Sequence, residues 1–244
     1  MCNMFRLIYQ IPLVMMLFTI NNLSAEDYMP PPFQADYTIR MKGAAIAKMT
    51  RKFSHEDSGK YQYHSETRTT GLVSLFRKDH IIENSKWQLQ SDNLIPIEYF
   101  YDHSGGKKDR KVNIYFDWEK NRITNSIDGS SWKMPTSPNV MDKLLYQLAI
   151  MYDLKAGKDS LQYTVADGGK TKLYNFEFLG EETIQTPLGD LLTVKLERHK
   201  PNSRRKSTLW CAKDLNYLPI KVENIEKDGK ITVALIKSLK GINY

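Results

Sequence analysis

The sequence predicts a mainly β protein: a single curved antiparallel sheet, a half-barrel or open barrel, with one major α-helix packed on it. Three observations predict this. Apolar and polar residues alternate through run after run of the chain, the period of a half-buried strand. Turn signals recur every ~8–20 residues, too closely for the helical crossovers of a parallel sheet. One stretch alone, Asn139 to Lys155, switches to the helical period. About a dozen strands are expected, in one β-rich domain over residues 26–244.

After Pro30-Pro31-Pro32, the residues Ala35, Tyr37, Ile39 and Met41 alternate with polar partners up to Lys42-Gly43. A second run, Ala44 to Phe53, closes at Asp57-Ser58-Gly59. In the third, Tyr61, Tyr63, Ser65, Thr67 and Thr69 share one face, with Gln62, His64, Glu66 and Arg68 on the other. Gly71 to Phe76 interrupts the pattern as an apolar short loop or helical turn. Ile81 to Leu89 resumes the sheet, and Ile95, Ile97, Tyr99 and Tyr101 are expected to point one way in the next strand. Val112, Ile114, Phe116 and Trp118 follow, then Ile123 to Ile127 and the hairpin signal Asp128-Gly129.

The helical stretch begins at Ser137-Pro138, a capping residue before a proline suited to the first helical position. Met141, Leu144, Leu145, Leu148 and Met151 or Tyr152 then recur on one face, and Gly157 ends the helix. Its apolar stripe is too wide to face water, so it must cover one face of the sheet. Strands return with Leu161, Tyr163 and Val165, then with Tyr174, Phe176 and Phe178 and with Leu192, Val194 and Leu196. Leu209 to Glu223 reads as a hairpin: Trp210 packs, Asp214 helps the turn and Pro219 starts the returning strand. Asp228-Gly229 makes the last hairpin, into Ile231, Val233 and Leu235.

At the N-terminus Arg6 precedes an apolar run, Ile11 to Ile20, well short of the roughly 20 residues that span a bilayer. With Leu23-Ser24-Ala25 behind it, the run fits a signal peptide over residues 1–25, the alternative being an uncleaved anchor. The periplasm is the expected destination. Beyond the leader only Cys211 remains, inside an apolar strand, so no internal disulfide is available and a buried thiol is expected. The net charge of +7 invites a nucleic-acid reading, but export and basic residues scattered over turns argue against one. Anionic phospholipid or lipopolysaccharide head groups are the acidic partners left, against a basic surface that recognises nothing.

No metal-ligand spacing, nucleophile elbow or cofactor motif stands in the sequence, so no metal, cofactor or catalytic residue is assigned. Asp79-His80 and Asp102-His103 are adjacent, yet neighbours on a strand face opposite ways. Gly168-Gly169-Lys170-Thr171 lacks the first glycine of a phosphate loop and reads as a hairpin. Two basic turns stand out, Lys107 to Lys111 and Arg198-His199-Lys200 with Arg204-Arg205-Lys206. Of these, Lys107, Lys108, Arg110, Arg204 and Arg205 are the candidates for an anionic group. Tyr99, Tyr101, Phe116, Trp118, Leu144, Leu148, Tyr174, Phe176 and Phe178 either fill a core or line a concave apolar cavity for an acyl chain.

The order and spacing of several segments resemble a family of exported bacterial proteins, the domain of unknown function 3108. Tyr37-Thr38-Ile39, Gly71 to Phe76, Leu94-Ile95-Pro96, Phe116-Asp117-Trp118, the helix with Gly157, and Trp210 with Asp214 and Leu218 to Lys221 carry the resemblance. It brings no activity or catalytic residue. The pattern also looks like that of periplasmic lipoprotein carriers, a likeness of architecture that does not by itself transfer function.

The expected function is a non-enzymatic periplasmic protein that binds a lipid, acyl chain or lipidated partner on a concave apolar face. The alternative is an envelope assembly or scaffolding factor acting through its surface. A hydrolase on envelope glycans or lipids stands third, and would need His and carboxylate side chains converging in one cleft.

Overall fold

Alternation of buried and open residues in most strands, set against short turns, builds much of this chain. The structure, a computed structural model, describes residues 28–56, 59–91, 93–200 and 202–243; the expected leader lies outside the described residues. Strands β1 (Phe33–Met41), β2 (Ala44–Glu56), β3 (Lys60–Thr69) and β4 (His80–Gln90) follow one another as hairpins. So do β5 (Asn93–Ser104), β6 (Arg110–Asp117), β7 (Arg122–Ile127) and β8 (Ser130–Pro135). The chain then crosses through β9 (Val140–Met141) and helix α1 (Leu145–Lys155) to β10 (Leu161–Ala166). From there β11 (Thr171–Thr186), β12 (Gly189–His199), β13 (Lys206–Ala212), β14 (Leu218–Ile225) and β15 (Ile231–Lys240) meander back.

The result is one 15-stranded sheet among the described residues, more than the dozen expected, in the order β8 to β1 and then β15 to β9. β1 and β15 lie side by side at its centre, and every pair is antiparallel except β9 with β10. β8 and β9 are the free edges, so the sheet is open. Trp132 of β8 nevertheless donates its indole N–H to the Gly169 carbonyl of the β10–β11 turn at 3.3 Å. The two halves therefore approach through a side chain rather than a ladder. Gly169 has a φ of +80°, and a Cβ there would run into the Trp132 ring. Gly169→Ala should cost about 1–2 kcal/mol from left-handed strain and displacement of Trp132, read as a lowered urea midpoint; an unchanged midpoint would mean the contact is not made.

Two sequence expectations change. The first is the start of the helix. Asn139 takes a left-handed φ of +56°, which no continuing helix accepts, and Val140–Met141 pair with β10 instead. Asp142 does the capping: its Oδ1 accepts the Leu144 and Leu145 amides at 2.8 Å each. Helix α1 is also buried on nearly every side, with Leu145 and Leu148 through Leu154 all buried. The curved sheet wraps around it, so the helix fills the concave face instead of covering it along one stripe.

The second is the phase of β5. A bulge at Ile97, opposite Lys86 and Trp87, puts Leu94, Pro96 and Tyr99 on the buried side. Ile95 and Ile97 stay half-buried on the other side, so the four residues expected to share a face do not.

Several polar groups enter the core hydrogen-bonded, whereas the Trp87 indole N–H and both side-chain polar atoms of Asn125 are buried without a partner among the described residues. Ser85 donates to Asp142 Oδ2 at 2.6 Å, and the Tyr99 hydroxyl to Glu83 at 2.5 Å. Tyr37 donates to the Pro219 carbonyl at 3.0 Å, tying β1 to the start of β14, where the proline was expected. Trp210 packs as expected, on the outer face: it donates to Glu182 at 2.9 Å and lies under Lys221. In the turn that follows, Asn216 and Tyr217, both left-handed, reverse the chain after the short 3-10 turn that holds Asp214.

Candidate functional site

Because the strands alternate in direction, the β5–β6, β10–β11, β12–β13 and β14–β15 turns gather at one end of the sheet, with the start of α1. Between them lies a cleft of about 610 Å³. Its walls come from five places. Lys143 precedes α1; Asp167, Lys172, Leu173 and Tyr174 come from the β10–β11 hairpin; Arg198, His199 and Lys200 end β12; Arg205, Lys206 and Ser207 open β13. Asn224, Ile225 and Glu226 close it.

The cleft is organised on Tyr174. The Arg198 guanidinium lies over its ring at 3.9 Å from the centroid, and Tyr146 of α1 meets it edge-on. Its hydroxyl donates to Asp167 Oδ2 at 3.0 Å, and burial followed by the Asp167 charge pushes the phenol upward, so it stays a donor. Lys172 Nζ donates to the same oxygen at 2.5 Å, and Lys143 Nζ stands 3.9 Å from the other. Burial alone would raise the Asp167 carboxyl, but the Lys172 hydrogen bond and the Lys143 and Lys172 charges outweigh it and hold the group below its usual range.

On the opposite wall Glu197 binds Lys206 and His199 at 2.6 Å each, and Arg205 Nε meets Glu226 at 3.2 Å. Arg198 and Lys200 have no ion-pair partner among the described residues, and the Arg198 Nε is buried without an acceptor there. The cleft thus carries an excess of positive charge beside the apolar Leu173 and Ile225. That combination suits an anionic group with an apolar continuation. Ser207 donates to Asn224 at 2.7 Å, not toward His199.

Of the anionic candidates, Arg205 lies in the cleft wall and Arg204 in the same turn, exposed. Arg110 lines a smaller neighbouring space of about 190 Å³ with Tyr99, Tyr101, Lys143 and Asp167. Lys107 and Lys108 are exposed at the tip of the β5–β6 turn. Of the apolar candidates, Tyr174 reaches the cleft, whereas Phe116, Leu144, Leu148 and Phe176 are packed inside the core. Trp118 stacks on Phe116 and donates to the Pro96 carbonyl. Phe178 lines a separate apolar depression with Leu154, Val194 and Tyr217 at the other end of the sheet.

Lys143, Asp167 and Lys172 were not among the candidates. Lys172 stands beyond a hairpin signal and Lys143 inside an expected helix, and neither position marks a cleft in sequence. The adjacent Asp–His pairs indeed part: His103 bonds Asp79 and His80 bonds Glu66, at 2.8 Å each. Cys211 is a free, buried thiol that burial pushes up, as expected for an inert position.

The model of a family described as a protein of unknown function, DUF3108, matches residues 33–236. Among solved structures, the chain is similar to a β-barrel-like protein of the domain of unknown function DUF1849 from Brucella abortus. Identity is 8%, 87% of this chain and 98% of that chain are covered, and the TM-score is 0.58. A candidate lipoprotein from Parabacteroides distasonis is similar at 13% identity over 87% of this chain and 98% of that one, with a TM-score of 0.36. At such identity the DUF1849 likeness shows the fold alone. No curated protein is significantly similar in sequence. Among the described residues no helix is long and apolar enough to cross a membrane.

Proposed function

The chain belongs to DUF3108, a family of proteins of unknown function, and from its own cleft we propose that it is a non-enzymatic, exported envelope protein that holds the anionic head of a lipid or lipidated partner. One observation carries this reading: the stacked Arg198, with Lys143, Lys172 and Lys200 around it, beside Leu173 and Ile225. A fork of guanidinium donors held over an aromatic ring is prepared for phosphate or carboxylate oxygens. An anion would also relieve the surplus of positive charge in the cleft. The acyl chain would then leave over Leu173 and Ile225, since α1 occupies the concave face first expected to hold it. Export to the periplasm rests on the leader-like residues 11–25.

A second reading, an assembly factor acting through its surface, is favoured by that same filled concave face. Calorimetric titration with lysophosphatidylglycerol and lysophosphatidylcholine below their micelle concentrations separates the two. We expect the anionic probe alone to bind, and Arg198→Met to weaken it roughly tenfold, the worth of one charge-assisted hydrogen bond. Absence of binding, or equal binding of both probes unaffected by Arg198→Met, would overturn the cleft reading in favour of the surface one.

A further inference from the structure

The β3–β4 connection at the same end of the sheet is a short 3-10 turn, Gly71–Leu75, none of whose residues is buried. Leu72 is 80% exposed, Leu75 73% and Phe76 88%. One exposed leucine means little, whereas three large apolar side chains on one turn form a patch that water does not favour. The turn is also built to hold them out. The Thr70 amide bonds the Ile46 carbonyl at 2.9 Å, and the Phe76 and Arg77 amides converge on the Val73 carbonyl at 3.1 and 2.9 Å. Ser74 closes onto the Gly71 carbonyl at 2.6 Å.

Around this apolar tip the charge is positive. Arg77 and Lys78 follow it directly and both are exposed, Arg77 being paired with Asp79 at 2.9 Å. The β5–β6 turn with Lys107 and Lys108 abuts it: Gly105, at a φ of +74°, packs so closely on the backbone of Lys78 that no Cβ would fit. On the other side stands the exposed Lys42 of the β1–β2 turn. An apolar tip ringed by cations has the chemistry of an interfacial membrane element, its side chains among acyl chains and its cations at anionic headgroups.

We propose that the 71–76 turn and the cations beside it dock the protein on the surface of an anionic phospholipid bilayer. The membrane would then face the end of the sheet that carries the basic cleft. The proposal does not depend on what that cleft holds, because separate residues carry the two interactions.

Vesicle co-sedimentation tests it, with phosphatidylglycerol–phosphatidylethanolamine vesicles against pure phosphatidylcholine and with all variants in the same chain. Leu72→Ser with Phe76→Ser should reduce binding to the anionic vesicles at least tenfold at an unchanged melting temperature, both side chains being exposed. Lys107→Gln with Lys108→Gln should reduce it several-fold, and raised salt should do the same. The Leu72/Phe76 variant should still bind monomeric lysophosphatidylglycerol as the native protein does, since neither side chain lines the cleft, so failure here is distinguishable from failure of the cleft reading. Unchanged binding in the Leu72/Phe76 variant, or equal binding to the phosphatidylcholine vesicles, would overturn the proposal. So would a photoreactive residue at position 76 that labels a discrete protein in cells in place of lipid.

Discussion

Leu148→Ala is expected to lower the unfolding free energy by about 3 kcal/mol, the middle of the range for truncating a fully enclosed leucine. Leu148 is completely buried on α1, in a core where Leu144, Leu145, Ala149 and Ile150 are equally inaccessible. The side chains around it belong to a sheet paired strand to strand, which cannot collapse onto the space left behind, so the cavity remains. Urea unfolding checks this, with the midpoint shifting and the slope unchanged. The result bears on function as well. A loss below about 1 kcal/mol would mean that α1 is not enclosed, and would return the concave face to the list of places where an acyl chain sits.

Asp142→Asn is expected to stabilise the protein at pH 8 and to flatten part of its pH dependence. Burial, opposed by hydrogen bonds from Ser85 and the Leu145 and Leu144 amides, pushes the Asp142 carboxyl up to about 6. The native state therefore holds this proton more tightly than the unfolded chain, whose aspartates titrate near ~3.9. The stability the group contributes is complete below the unfolded value and is lost as pH rises from there through the folded one, about 3 kcal/mol in all. Asparagine keeps the oxygen that accepts the two helix amides and offers its NH2 to the Ser85 hydroxyl, so the geometry survives while the titration disappears. Glu66, Asp79, Asp167 and Glu197, all held low, act in the opposite sense and lose stability as pH falls. The variant-minus-native difference between pH 4 and 8 is thus the informative quantity. Parallel curves for the two proteins would contradict a buried, titrating Asp142.

Much of the fold was legible because its causes are local. Tyr61, Tyr63 and Ser65 are buried on one face of β3, as their alternation requires, and Gly71 to Leu75 forms the turn its pattern implied. Asp128-Gly129 closes a hairpin, with both residues at positive φ. The misses share a cause too. The bulge at Ile97 inserts one residue against the partner strand; Pro96 beside it is the signal in β5, since a proline inside a paired strand belongs at an edge or a bulge, and the alternation alone does not show it. At the helix start, the pairing of Val140–Met141 with β10 overrode a plausible capping sequence.

The candidate site was legible only in fragments. Arg198 and Arg205 stood out within one basic turn, though only Arg205 was singled out for an anion, and the cleft also needs Lys143 from before α1 and Lys172 from β11. Their meeting depends on which turns share an end of the sheet.

What the sequence alone determined is therefore the vocabulary: strands, turns, one helix, a buried thiol and a surplus of positive charge, each set by side-chain period and local backbone preference. Only the tertiary structure decided that β1 pairs with β15, that the helix fills the concave face, and that the basic cleft and the apolar 71–76 turn lie at one end. These follow from pairings between residues far apart in the chain, which no local pattern encodes.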